Sequence, residues 1–209
     1  MDLIWDFDGT LFDTYPLMAA SLQQAMREEG HEVPIEDIRA RMAVTLGYAL
    51  KCYEEMYGIT DRTVERYKEL MQNAGTEAAA PFDGVKEICK WVCENGGKNH
   101  LCTHRSLSAK NYMDHWGISA YFDVYVTADD RLPRKPAPDM VEKILSETGK
   151  KSSEFIMMGD RELDILAARG AGVKGCLFTN GKAEVETVAE YQIRTYKEFF
   201  DKIGEEKTK

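Results

Sequence analysis

Two aspartates one residue apart are the chain's first chemically suggestive feature. Leu3, Ile4 and Trp5 form a short apolar run that stops at Asp6-Phe7-Asp8-Gly9-Thr10. An apolar run cut off by turn-forming residues predicts a buried parallel strand, and in open α/β sheets ligands bind outside the carboxyl ends of such strands. Alternation along an extended segment sends Asp6 and Asp8 to one side and Phe7 to the other, and Gly9 lets the backbone turn sharply. One carboxylate could attack while the other moves a proton. Over these five residues an ordinary acidic turn would look the same.

Three further strand ends add to the pattern. Lys98 to Cys102 leads into Thr103-His104-Arg105-Ser106, where a hydroxyl and fresh backbone amides suit an anion. Arg134-Lys135-Pro136-Ala137-Pro138-Asp139 places a cation just before prolines, the second of which fits the first turn of a helix through Val141, Ile144 and Leu145. Phe155-Ile156-Met157-Met158 runs into Gly159-Asp160-Arg161-Glu162-Leu163-Asp164, and Asp164 lies one helical turn beyond Asp160. Capping of a helix N-terminus would explain either aspartate singly, but not both beside the other acids.

Taken together, these segments resemble the haloacid dehalogenase (HAD) superfamily of aspartate-nucleophile phosphotransferases. DFDGTLFDT is similar to its first motif, LCTHRS to its second, RKPAPD to its third and GDRELDILAARGAG to its fourth, over residue 1 to about 180. The likeness points to the branch of phosphoglycolate phosphatase-like and β-phosphoglucomutase-like enzymes with a helical cap. It implies Asp6 as the nucleophile that becomes a phosphoaspartate, and Asp8 as the general acid and base. Thr103 and the amide of His104 would hold phosphoryl oxygens, and Lys135 would add positive charge to phosphate and nucleophile. Asp160 would be a metal ligand, with Asp164 supporting it directly, through water or through Lys135.

Asp6, Asp8, Asp160 and Asp164 around a phosphate bring at least four negative charges against one from Lys135. Such crowding favours protonation unless a cation relieves it. Magnesium fits an all-oxygen ligand set of Asp6, Asp8, Asp160 and Asp164 with a substrate phosphate, and manganese fits the same ligand type.

The elements that must position these residues are a strand, a helical insertion, then alternating strands and helices. Core strands are predicted at His100 to Thr103, Val124 to Thr127, Phe155 to Met158 and Gly175 to Thr179, with a short one near Gln192 to Thr195. Helices are predicted at Val85 to Cys93, Ser108 to Trp116, Pro138 to Thr148 and Glu162 to Arg169. This alternation gives an α/β fold, a doubly wound, mostly parallel sheet. Residues 14 to 80 instead show helical periodicity in four segments: Met18 to Met26, Ile35 to Met42, Leu46 to Met56 and Val64 to Met71. They could be a helical layer of the same domain. The family likeness makes them a small α-helical cap over 15–80, inserted in a core of 1–14 and 81–209, with hinges near Thr14 to Pro16 and Ala80 to Pro81.

Composition sets the remaining bounds. Thirty-six acids against 27 bases give a formal net charge of -9, with no basic stripe, so a nucleic-acid partner is not expected. No apolar run approaches the ~20 residues that span a bilayer, and Asp2 stands where a signal peptide would be basic. A cytoplasmic protein, a monomer or small homo-oligomer acting on a small phosphorylated metabolite, is expected. Cys52, Cys89, Cys93, Cys102 and Cys176 are odd in number and read as reduced thiols. The charged tail from Gly204 to Lys209 is expected to fray.

Substrate choice is least legible. In a capped enzyme of this family the leaving group faces the cap, so Arg39, Arg41, Thr45, Tyr48 and Lys51 are the candidates, Arg41 and Lys51 foremost. Each could equally be a solvated charge or surface group. The resulting expectation is a magnesium-dependent phosphatase acting on a small phosphate monoester, with a sugar phosphomutase as the alternative.

Overall fold

The computed structural model describes residues 1–204, so the tail expected to fray lies, from residue 205 on, outside the described residues. The chain divides into two compact units, Thr14–Ala79 and the remainder, Met1–Asp13 with the chain from Ala80 on.

Thr14–Ala79 is helical throughout its regular structure: α1 (Tyr15–Glu28), α2 (Ile35–Val44), α3 (Leu46–Tyr57) and α4 (Asp61–Asn73). Leu22, Met26, Ile38, Met42, Ala49, Tyr53 and Tyr67 form its buried cluster, because residues three and four apart share one helical face. Thr45 caps α3 by accepting the Tyr48 N–H at 2.9 Å, and Gly58, at φ 69°, ends it in the left-handed conformation. Met56, which the periodicity placed on the apolar stripe of α3, is 53% exposed. It falls in the last turn of α3, next to Tyr57, itself 37% exposed.

The other unit is built on β1 (Asp2–Trp5), β2 (Asn99–Cys102), β3 (Phe122–Val126), β4 (Phe155–Gly159), β5 (Lys174–Phe178) and β6 (Tyr191–Ile193). All five pairings are parallel, in the order β3-β2-β1-β4-β5-β6. Strands buried on both faces read as continuous apolar runs, and β1, β2 and β4 are buried at every residue. The helices are α5 (Val85–Glu94), α6 (Ala109–His115), α7 (Asp139–Thr148), α8 (Glu162–Gly170) and α9 (Lys197–Gly204). One sheet face, with Ile4 and Met157, packs on Val141 and Ile144 of α7 and Ala167 and Ala168 of α8. Trp5 points the other way, its ring 5.8 Å from that of Tyr196, while Trp91 of α5 meets Phe199 of α9 edge-on.

β3 begins at Phe122, two residues before the expected start. Thr127, expected within it, instead opens a short 3-10 turn, with its N–H donating to Asp130 at 2.7 Å. At the amino end of the sheet, His100 bonds Asp2 at 3.1 Å and Lys150 pairs with the same carboxylate. Burial pushes the Asp2 carboxyl up, but these partners and the Lys98 amide bring it down to about 2.

The sheet order reverses at β1, with β2 on one side and β4 on the other. That is the switch point where an α/β sheet opens a crevice at its carboxyl edge. Trp5 lies level with Leu101 and Met158, so the residues that follow each of them emerge together.

Candidate active site

Asp6 leaves β1 at that edge. Its N–H donates to the Met158 carbonyl at 2.9 Å, which carries the ladder one residue past the strand and holds the buried carboxylate between β2 and β4. The chain then turns on Gly9, at φ 80°, which a side chain would strain. Gly9 N–H donates to the Phe12 carbonyl at 2.8 Å, and Tyr196 donates its hydroxyl to the Thr10 carbonyl at 2.6 Å. The loop bearing both aspartates is thereby tied to the core.

Lys135 is buried and reaches the Asp6 carboxylate at 2.8 Å and that of Asp164 at 2.6 Å, and it donates to the Cys102 carbonyl at 2.9 Å. Burial opposes its charge, but Asp164 and Asp6 more than offset this, and its pKa lies above the ordinary lysine value. It is a fixed cation. Asp6, Asp160 and Asp164 each present an oxygen within 4.8 Å of the others. Asp6 Oδ2 is buried and accepts no hydrogen bond among the described residues, with Arg161 Nη2 3.9 Å away. A hard cation suits this set, since it would supply the partner that this oxygen lacks.

Asp8, expected among the metal ligands, is not one of those three carboxylates. Its carboxylate is gripped by Arg105, with Nη2 at 2.6 Å and Nε at 3.2 Å from Oδ1. The guanidinium also sits 5.2 Å over the Phe7 ring and 5.6 Å over that of Tyr112. The charge count from sequence therefore changes. Besides Lys135, Arg105 serves Asp8, and Arg161 lies 3.8 Å from Asp160 as well as near Asp6. Four carboxylates face three cations, so a metal is called for chiefly by the orphaned Asp6 oxygen and by the charge that a phosphate would add.

Thr103, buried at the end of β2, accepts the Arg105 N–H at 3.1 Å. The expected part for His104 rested on its backbone amide, yet its ring is engaged as well, with Nε2 accepting the Lys135 N–H at 2.9 Å. Arg134 clasps the His104 carbonyl at 2.9 Å. Burial, together with Lys135, Arg134 and Arg161, lowers the ring pKa to about 3, so the neutral acceptor is maintained.

In the helical unit Arg41 bonds Asp37 at 2.9 Å and stacks 5.4 Å over Tyr53, whose hydroxyl donates to the same carboxylate at 2.8 Å. Lys51, Arg39 and Tyr48 are exposed. Arg105, Arg161, Tyr196 and the His104 ring were missed in the sequence. For the first two a signal existed, since each is an arginine directly beyond a strand-end residue already singled out.

A sheet whose central strand ends in paired aspartates, flanked by a buried lysine and by acids just beyond β4, defines the class. Residues 3–178 match the profile of the haloacid dehalogenase-like hydrolases, and the chain belongs to that family and is an enzyme of it. It is 29% identical over 196 residues to the phosphoglycolate phosphatase of Caulobacter vibrioides, covering 89% of this chain and 83% of that one. It is 30% identical over 177 residues to the pyrophosphatase PpaX of Bacillus velezensis, covering 82% and 80%. Its fold matches a Thermotoga maritima protein assigned as a β-phosphoglucomutase, with TM-score 0.82, 21% identity and 98% of both chains covered.

Proposed function

We propose that this hydrolase is a magnesium-dependent phosphatase that cleaves a small phosphate monoester through a phosphoaspartate on Asp6. The observation that carries the reading is the buried Asp6 carboxylate, held by Lys135 at 2.8 Å through Oδ1 and grouped with Asp160 and Asp164, an oxygen of each lying within 4.8 Å of the others. A carboxylate so fixed beside a cation and a metal-binding group is suited to in-line attack on phosphorus. The names of the two enzyme relatives, a phosphoglycolate phosphatase and a pyrophosphatase, support a small phosphorylated substrate.

In this mechanism Asp6 attacks phosphorus, the ester P–O bond breaks, and the departing alkoxide takes a proton from Asp8. Asp8, now a carboxylate, then takes a proton from water as the resulting hydroxide attacks phosphorus. The bond to Asp6 breaks, orthophosphate leaves, and Asp8 is again protonated. Thr103, the His104 amide and Lys135 hold the phosphoryl oxygens. Asp6, Asp160 and Asp164 would hold the magnesium ion, which when bound offsets charge on the transferring group. Thr14–Ala79 serves as the cap, with Arg41 and Lys51 reading the leaving group. Five free cysteines fit a reducing, cytoplasmic setting.

Hydrolysis of p-nitrophenyl phosphate, assayed with and without magnesium, tests the reading. Orthophosphate release that stops on chelation and returns with added metal is expected. Undiminished release after chelation would overturn the metal, and no release under any metal would overturn the phosphatase. Stoichiometric conversion of glucose 1-phosphate to the 6-phosphate, with little orthophosphate freed, would establish the phosphomutase instead.

A further inference from the structure

We infer that Arg105 is a positioning residue that aims Asp8 at the water that hydrolyses the phosphoenzyme. The inference rests on the phosphatase reading and on one juxtaposition. Asp8 stands beyond the end of β1, on a loop that turns at Gly9, whereas Arg105 stands beyond the end of β2. The guanidinium sets the direction of the Asp8 side chain, because two of its nitrogens reach one carboxylate oxygen at 2.6 and 3.2 Å, and Nε also stands 3.4 Å from the second. A fork that grips both oxygens sets the plane of the carboxylate as well as its distance.

The arginine is itself held. Its guanidinium lies over Phe7, the residue between the two aspartates, and over Tyr112 of α6, while its N–H donates to Thr103. Phe7 and Phe12 stack at 4.7 Å, and Tyr112 meets both edge-on, so the arginine rests on a three-ring platform. The Arg105 side chain is only 14% exposed. Asp8 is thus fixed by a side chain that is fixed in turn, the arrangement by which a supporting group preserves a reactive geometry.

The two halves of the reaction make different demands on Asp8. With an aryl leaving group the first half needs little protonation, so a misdirected Asp8 leaves it nearly intact. The second half always requires a base on water. Loss of Arg105 should therefore slow hydrolysis of the intermediate selectively. Because kcat/KM reports only steps through phosphorylation, kcat and KM fall together.

The experiment is steady-state kinetics of Arg105→Gln and Arg105→Lys on p-nitrophenyl phosphate with magnesium. Acid-quenched measurement of the phosphorylated fraction and thermal unfolding accompany it. The expected result for Arg105→Gln is a fall in kcat of about tenfold or more, kcat/KM within about twofold of the unsubstituted chain, and a raised phosphoenzyme fraction. Arg105→Lys, which keeps the charge but not the fork, should lie between. Equal losses in kcat and kcat/KM without phosphoenzyme build-up would overturn the inference, and so would unchanged kcat. If Arg105→Gln does not fold, Arg105→Lys is judged by the same split. Failure of the unsubstituted chain to turn over the ester under any divalent metal overturns the phosphatase reading and this inference together. Turnover without the split overturns Arg105 alone.

Discussion

Gly159 and Asp164 approach so closely that a Cβ on the glycine would lie 2.3 Å from the Asp164 Cβ and 2.7 Å from its Oδ2. Position 159 ends β4, and Asp164 is two residues into α8, so the missing side chain is what lets the helix fold back over the strand end. Asp164 is buried in that space and pairs with Lys135. Gly159→Ala is expected to push Asp164 out of register with Lys135, lowering kcat about 100-fold and stability by about 2 kcal/mol. Thermal unfolding and phosphate release measure the two effects, and a fully active variant would show that the Asp164–Lys135 pair does not matter to turnover.

The two aspartates of the β1 end should separate chemically. Asp6→Asn removes the attacking oxygen and is expected to lower turnover on the order of 10⁴-fold or more. Asp8→Asn should still let phosphate load from an aryl ester, since a good leaving group needs little protonation, but not unload. Acid-quenched peptide mapping checks both. Phosphate found on Asp8 or Asp160 instead of Asp6 would refute the assignment.

His104 gives a pH signature. Its folded pKa, about 3, lies below the ordinary 6.5 because of burial and the surrounding cations. Between those values the unfolded chain binds a proton that the folded chain refuses, so the contribution to stability is present above about pH 6.5 and is lost as pH falls toward 3. The slope is at most about 1.4 kcal/mol per pH unit. His104→Gln, whose carbonyl can still accept the Lys135 N–H, should flatten it. Urea unfolding at stepped pH would decide the matter, and parallel curves for the two proteins would count against the role.

The legible parts of this molecule were those in which one residue's environment follows from its neighbours in the chain. Leu3 to Trp5 read as a buried strand because a parallel strand covered on both faces is apolar throughout, and the acids at 6 and 160 stood out because each follows such a run, with 8 and 164 at alternating and helical spacing from them. Periodicity likewise outlined α1 to α4. What stayed hidden depends on partners far apart in sequence. Arg105 and Asp8 are brought together only by the pairing of β1 with β2, and Tyr196 reaches Thr10 only after the sheet is complete. The charge count left out Arg161 and Arg105 for the same reason, since they come beside the acids only when the strand ends lie side by side.

The cap candidates lead to a test of discrimination. Arg41 is committed to Asp37 and Tyr53 within its own unit, so replacing it also frees a carboxylate and a hydroxyl, and a lower unfolding midpoint should accompany Arg41→Ala. Lys51 is exposed on α3 and is the cleaner probe. If the helical unit reads the leaving group, Lys51→Ala should lower kcat/KM for an anionic alkyl phosphate such as 2-phosphoglycolate about tenfold or more, the effect of one lost charged hydrogen bond. It should barely alter p-nitrophenyl phosphate, whose transferred group is held by Thr103, His104 and Lys135. Parallel kinetics on the two esters check this, and equal losses on both would remove Lys51 from substrate recognition.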